Sequence, residues 1–109
     1  MGNQETYFAL STPSGRSATA TIRISGPNSK STILKLLKNK DKILKPGFNN
    51  VVCLYNKNND LIDKCVVVFY KSPKSFTGDD MVEIHTHGNP IIIEAMSKEL
   101  LDLNLRLAN

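Results

Sequence analysis

The pattern of apolar and polar positions along the chain predicts eight elements of secondary structure. Short stretches with alternating or continuous apolar residues are typical of β-strands. Longer stretches that repeat apolar residues at helical spacing, each after a proline, predict helices. The order is β-β-α-β-β-β-α-(β), with strands at 5–10, 18–25, 51–55, 61–70 and 81–87, the start of a sixth at 105–108, and helices after Pro27 and Pro90. This order predicts an α+β fold.

The stretches "VVCLY" and "LIDKCVVVFY" predict an antiparallel hairpin, because the turn-forming residues "NKNND" lie between them. The run "VVVFY" does not alternate between apolar and polar residues. Such continuous runs are typical of strands that are covered on both faces. We therefore expect the strand at 61–70 to be buried from both sides.

The stretch "MVEIHTHGNP" joins a strand to the start of a helix. Successive side chains of a strand point to opposite faces, so Glu83, His85 and His87 share one face. Asn89 suits the N-cap of the following helix, and Pro90 suits its first position. One sheet face therefore carries a carboxylate together with both histidines of the chain.

This face permits several kinds of chemistry. A His-x-His pair on a strand can hold zinc, but zinc needs three or four ligands, and neither Cys53 nor Cys65 has a ligand spacing. We predict instead that both cysteines are buried free thiols. Glu83 and His85 form a possible acid–base dyad, although no nucleophile is marked in the sequence. A solvated sheet face without chemistry remains an alternative.

The charge of the chain says little about partners. The formal net charge is +4 and the pI is about 9.2, and scattered lysines supply most of the basic side chains. We interpret them as a solvated face rather than a nucleic-acid patch. The chain lacks apolar runs of about 18 to 20 residues, signal-peptide features and phosphate-binding glycine motifs. We expect a cytoplasmic protein with no membrane association and no nucleotide-hydrolysing site in this chain.

Arg23 lies on the polar face of the strand at 18–25, and Glu83 on that of the strand at 81–87. If that face is covered, each charge needs a partner or a ligand. A carboxylate and an arginine in one cleft suit a ligand with an amide-like pterin ring and an anionic tail. A direct salt bridge between Arg23 and Glu83, without any ligand, is the alternative that the residues leave open.

The stretches "ALSTPSGRSATATIRISGP" and "SPKSFTGDDMVEIHTHGNP" resemble signature stretches of the N-terminal domain of the MnmE (TrmE) family, the tRNA uridine-modification GTPases. The similarity extends from residue 5 to the end of the chain. The motifs R-I-S-G-P, S-F-T-G-D-D and V-E-I-H-T-H-G occur in the family's order, and this combination is highly specific.

The resemblance implies that residues 1–109 form a folate-binding and dimerisation domain of a longer protein, whose helical and G domains lie outside this chain. Its fold is then similar to one half of the GcvT-like folate-binding domain of aminomethyltransferases, with a mixed, mainly antiparallel sheet. Arg23 and Glu83 match the family's folate-binding positions, with no catalytic or metal-binding residue, and the two histidines line or support that cleft. A further basic residue of the family's site lies beyond Asn109. Arg16, in a glycine-poor loop, is not expected to contact the ligand.

The resemblance also implies partners and a function. The domain would form a homodimer and bind 5-formyltetrahydrofolate or another one-carbon tetrahydrofolate, while GTP, Mg and K would bind in the G domain. With the FAD protein MnmG (GidA), the full protein would add a carboxymethylaminomethyl-type group to C5 of the wobble uridine of certain tRNAs. One alternative is a stand-alone folate-dependent aminomethyl- or formyltransferase-like protein. Another is a structural dimerisation module that has lost folate.

Overall fold

A computed structural model describes residues 5–11, 19–39, 41–75 and 78–108 of the chain. The described elements confirm the predicted order. Their bounds are β1 (Tyr7–Ser11), β2 (Thr19–Ser25), α1 (Ser29–Leu37), β3 (Asn49–Tyr55), β4 (Leu61–Tyr70), β5 (Met81–His87), α2 (Pro90–Asp102) and β6 (Arg106–Leu107). The bounds of β4 and β5 match the prediction, whereas β1 and β3 each begin two residues away from the predicted start.

The strands form one six-stranded sheet with the order β3-β4-β5-β2-β1-β6. Every pairing is antiparallel except that between β1 and β6, which is parallel. The expected α+β fold with a mixed, mainly antiparallel sheet is therefore confirmed. The predicted hairpin of β3 and β4 is also confirmed, and its turn is held by Asn56, whose side-chain oxygen accepts hydrogen bonds from the backbone of Asn58 and Asp60.

The hydrophobic core lies between one face of the sheet and both helices. Ile33 and Leu36 of α1 and Met96 and Leu100 of α2 are buried there against apolar side chains of β1 to β5. Within the described residues no helix covers the opposite face. We call this the open face. The strand registers place the following side chains on it: Tyr7, Thr21, Arg23, Val51, Val66, Val68, Tyr70, Met81, Glu83 and His85.

The expectation that β4 is covered on both faces is only partly correct. Val67 and Phe69 are buried against the helices, as a core strand requires. On the open face Val68 is also buried, but Val66 and Tyr70 are only half-buried. The continuous apolar run therefore reflects the central position of β4 between β3 and β5, where side chains of the neighbouring strands shield Val68.

The two helices begin differently, since a side chain caps α2 but the N-cap residue of α1, Asn28, forms no side-chain capping hydrogen bond. The side-chain oxygen of Asn89 accepts a hydrogen bond from the backbone N–H of Ile91 at 2.8 Å, and Pro90 is the first helical residue, as predicted. At α1 the hydroxyl of Ser29 donates to backbone oxygens instead, including that of Asp80 at 3.1 Å. This contact ties the start of α1 to the residue that precedes β5.

The prediction for the cysteines is correct in part. Both are free thiols, but Cys65 is buried while Cys53 is only half-buried on the edge strand β3. Burial, with smaller contributions from Asp63 and Cys53, raises the pKa of Cys65 to about 12. None of the helices described is long and apolar enough to cross a membrane.

Candidate ligand-binding site

Arg23 and Glu83 occupy neighbouring strands at the centre of the open face. The antiparallel register of β2 and β5 places them directly opposite each other. The Nε of Arg23 donates a hydrogen bond to Oε2 of Glu83 at 2.8 Å. The sequence prediction that the two residues share a face is confirmed, and the salt bridge that it left open is formed.

Glu83 is the buried centre of a larger polar cluster. Its side chain is only 8% exposed, whereas that of Arg23 is 46% exposed. The second carboxylate oxygen, Oε1, accepts a hydrogen bond from the hydroxyl of Tyr70 at 3.3 Å and lies 3.4 Å from Nε2 of His85. A carboxylate at this depth is stable only because donors surround it.

Tyr70 supplies one of these donors from the end of β4. Burial raises the pKa of Tyr70, and the charge of Glu83 and the hydrogen bond to it raise the pKa further, against a smaller opposing effect of Arg23. The phenol therefore stays protonated at neutral pH and donates to the carboxylate. The sequence analysis missed this residue, because only the pairing of β4 with β5 brings Tyr70 next to Glu83.

The two histidines of the "HTH" motif have different surroundings. His85 bridges the cluster, since its Nδ1 lies 3.2 Å from the hydroxyl of Thr21 and its Nε2 faces Glu83. His85 therefore belongs to the cluster around Glu83. His87 instead contacts Asp63 of β4, with its Nδ1 2.9 Å from the carboxylate, and its side chain is 68% exposed. His87 therefore does not join the cluster around Glu83, contrary to the expectation, because its ring pairs with the carboxylate of Asp63.

A cleft of about 310 Å³ adjoins the cluster. It is lined by Tyr70, Lys74, Ser75 and Met81, so it lies between the ends of β4 and β5 and the loop that joins them. Phe76 and Thr77, of the "SFTG" motif, lie outside the described residues, as does Arg16. The cleft adds the ammonium group of Lys74 and the hydroxyl group of Ser75 to the groups available for a ligand.

The arrangement of these side chains suits the binding of a ligand. The site offers a buried carboxylate as an acceptor, a guanidinium and an ammonium group for an anion, and a phenol and an imidazole between them. Among the described residues, no three side chains of the types His, Cys, Asp and Glu come together to hold a metal ion.

Comparison with known proteins agrees with the motifs. The family described as "GTP-binding protein TrmE N-terminus" matches residues 6–109. The relative called "tRNA modification GTPase MnmE" from Legionella pneumophila (strain Corby) is 39% identical over 104 residues, which are 95% of this chain and 23% of the relative. The proteins of the same name from Francisella philomiragia and Thermotoga maritima are 40% and 42% identical, over 100% and 94% of this chain.

The matched region is a small part of each of these relatives. The chain spans 23% of the Francisella protein and 21% of the Thermotoga protein. The similarity nevertheless covers nearly the whole of this chain and includes both motif-bearing strands, β2 and β5. The chain therefore belongs to the TrmE (MnmE) N-terminal domain family.

Proposed function

We propose that this chain is the tetrahydrofolate-binding and homodimerisation domain of a tRNA modification GTPase. The observation that carries the proposal is the buried carboxylate of Glu83, which is paired with the half-exposed Arg23 on the open face and adjoins a cleft. Family membership supports it, because the relatives that match this chain are called tRNA modification GTPases.

The hydrogen bonds of Glu83 indicate how a pterin ring would enter. Oε2 accepts the short bond from Arg23, whereas the contacts of Oε1 with Tyr70 and His85 are long, at 3.3 and 3.4 Å. Contacts of that length are weak compared with a good N–H···O bond of about 2.9 Å. The neighbouring N–H donors of a pterin ring would therefore displace the contacts at Oε1 and leave the Arg23 bond in place.

The rest of the ligand would use the cationic groups around the cluster. Arginine binds carboxylates in a fork-like geometry, and nearly half of the Arg23 side chain is exposed. Lys74 adds a second positive charge on the wall of the cleft. The anionic tail of a folate would therefore be held by charge, while Glu83 selects the ring. When bound, the folate would supply a one-carbon unit, and the chain would bind and orient it.

The remaining parts of the proposal concern the longer protein. GTP, Mg and K would bind in a G domain outside this chain, and the GTPase would act with the FAD protein MnmG in the cytoplasm. Together they would add a carboxymethylaminomethyl-type group to C5 of the wobble uridine of certain tRNAs. A homodimer of GcvT-like halves would cover part of the open face, where the apolar side chain of Val51 is 68% exposed and that of Tyr7 is 42% exposed.

Calorimetric titration of 5-formyltetrahydrofolate into the chain, together with its mass by sedimentation, tests this proposal. We expect saturable binding to a dimer. A dimer that binds no folate would remove the folate part of the proposal and favour a structural dimerisation module. A monomer that binds folate would remove the dimerisation part.

A further inference from the structure

The positive charge of the chain is concentrated in one segment. Residues 26–48, which we call the basic segment, contain six lysines and one acidic residue, Asp41. The rest of the chain contains eight basic and nine acidic residues. The whole excess of positive charge therefore comes from the basic segment, although its lysines look scattered when the sequence is read alone.

The lysines of the basic segment that the structure describes are exposed to solvent. Lys35, Lys38 and Lys42 are exposed on α1 and the loop that follows it, and within the described ranges none of them forms an ion pair. Other lysines of the chain are paired, since Lys57 contacts Asp102 at 3.5 Å and Lys71 contacts Asp80 at 3.6 Å. The basic segment therefore keeps its charge available for an anionic partner.

Two concave surfaces lie along the basic segment. The first is a groove of about 500 Å³ lined by Ser31, Leu34, Lys35, Lys38 and Asn39. The second has a volume of about 230 Å³ and is lined by Leu37, Asn39, Lys42, Val52, Cys53 and Tyr55. Asn39 belongs to both, so the two grooves adjoin and place their lysines along one path over the surface.

An exposed aromatic ring lies at the end of the basic segment. Phe48 is 62% exposed, and the Nζ of Lys45 lies 5.9 Å from the centroid of its ring. Exposed rings beside lysines are used by proteins that bind single-stranded RNA, where the ring stacks on a base and the cation contacts phosphate. Lys45 and Phe48 thus place a cation and an exposed ring side by side.

We propose that the basic segment binds a single-stranded part of tRNA, with its lysines on the phosphates and Phe48 stacked on a base. This inference rests on the proposed function, which makes tRNA the substrate. Membrane binding through an apolar face of α1 is disfavoured, because Ile33 and Leu36 are buried in the core and cannot enter a lipid layer. The basic segment includes α1, on the helix side of the sheet, whereas Glu83 lies on the open face.

The test compares two variants that lose the same charge. A fluorescently labelled tRNA transcript with a wobble uridine is titrated with wild type, Lys38→Gln/Lys42→Gln and Lys57→Gln/Lys98→Gln, at several KCl concentrations. We expect the first variant to weaken binding about tenfold near physiological salt and to reduce the salt slope by about 1.5. The control pair should change the dissociation constant about twofold or less. Phe48→Leu, which keeps an apolar side chain without a ring, should weaken binding about fivefold.

Equal effects of the two lysine pairs would overturn the inference, as would binding to phosphatidylserine vesicles without binding to tRNA. A circular-dichroism melt of each variant confirms that it is folded. Titration of 5-formyltetrahydrofolate into the same variants separates this inference from the proposed function. If folate still binds and the Lys38→Gln/Lys42→Gln variant binds tRNA as tightly as wild type, only the inference is overturned. If the wild-type chain does not bind folate, only the proposed folate site is overturned.

Discussion

Arg23 and Glu83 face each other across β2 and β5, joined by a hydrogen bond of 2.8 Å between Nε and Oε2. Glu83 is buried and Arg23 is half-exposed, so one side of the pair is fixed in the sheet and the other faces solvent. A buried carboxylate is costly unless donors satisfy it. Arg23 therefore stabilises the buried Glu83 while its own side chain remains exposed to a ligand.

The pair should be energetically coupled. Arg23→Ala removes the shortest bond to a buried charge, so we expect the free energy of unfolding to fall by about 1 to 3 kcal/mol. The same change should cost less in a chain that already carries Glu83→Gln, because no buried charge is then left. Urea unfolding of the two single variants and the double variant measures the coupling. Identical costs of Arg23→Ala in both backgrounds would show that the pair contributes nothing.

Tyr70 should make the stability of the chain sensitive to alkaline pH. Its pKa is raised above the ordinary value of 10.0 in the folded chain, chiefly by burial. As the pH rises above about 10, the unfolded chain therefore releases this phenolic proton first, and the free energy of unfolding falls until the folded Tyr70 also ionises. Unfolding measured across this range should show a smaller fall for Tyr70→Phe than for wild type, and superimposable profiles would contradict this assignment.

The two thiols should differ in reactivity. The thiolate is the reactive form, and burial raises the pKa of Cys65 to about 12, so it is scarcely ionised at about pH 8. Cys53 is only half-buried and lines the smaller groove. We expect a thiol reagent to modify Cys53 in the native chain and Cys65 only in denaturant, with Cys53→Ser and Cys65→Ser identifying the signals. Equal labelling rates in the native chain would contradict the burial of Cys65.

The glycine of the "RISGP" motif should be intolerant of a side chain. Gly26 has a φ of +134°, and a Cβ there would lie 2.8 Å from Cα of Thr6. Gly47 also has a positive φ, of +81°, but a Cβ there would meet nothing within 4 Å. In thermal unfolding, Gly26→Ala should lower the free energy of unfolding by about 3 kcal/mol or more. Gly47→Ala should lower it by about 1 kcal/mol, because this variant has the backbone strain without the steric contact. Equal losses would mean that the contact with Thr6 is easily relieved.

The elements and their order could be predicted because each depends on local patterns. The alternation of β5 correctly placed Glu83 and His85 on one face, and the structure places Val82 and Ile84 of the other face in the core. Relations between strands could not be predicted in the same way. Tyr70 meets Glu83 only through the register of β4 against β5, and the contact of Asp63 with His87 likewise joins residues that are distant in the sequence.

Charge and burial also depended on the three-dimensional arrangement. Lysines that seem scattered in the sequence lie beside two adjoining grooves, because α1 and its following loop bring them together. Cys53 was expected to be buried, but β3 is an edge strand and leaves it half-exposed. A sequence pattern shows which residues of a strand share a face, but not which strand lies at the edge.

The most direct test of the folate site is a matched pair of substitutions at two glutamates. Glu83→Gln removes the charge of the buried carboxylate at the same side-chain size, and Glu94→Gln makes the same change at an exposed position of α2. Calorimetric titration with 5-formyltetrahydrofolate should show binding weakened about tenfold or more by Glu83→Gln, since hydrogen bonds to a charged acceptor are the stronger ones. Glu94→Gln should leave the dissociation constant unchanged. Equal dissociation constants for wild type and both variants would contradict the account.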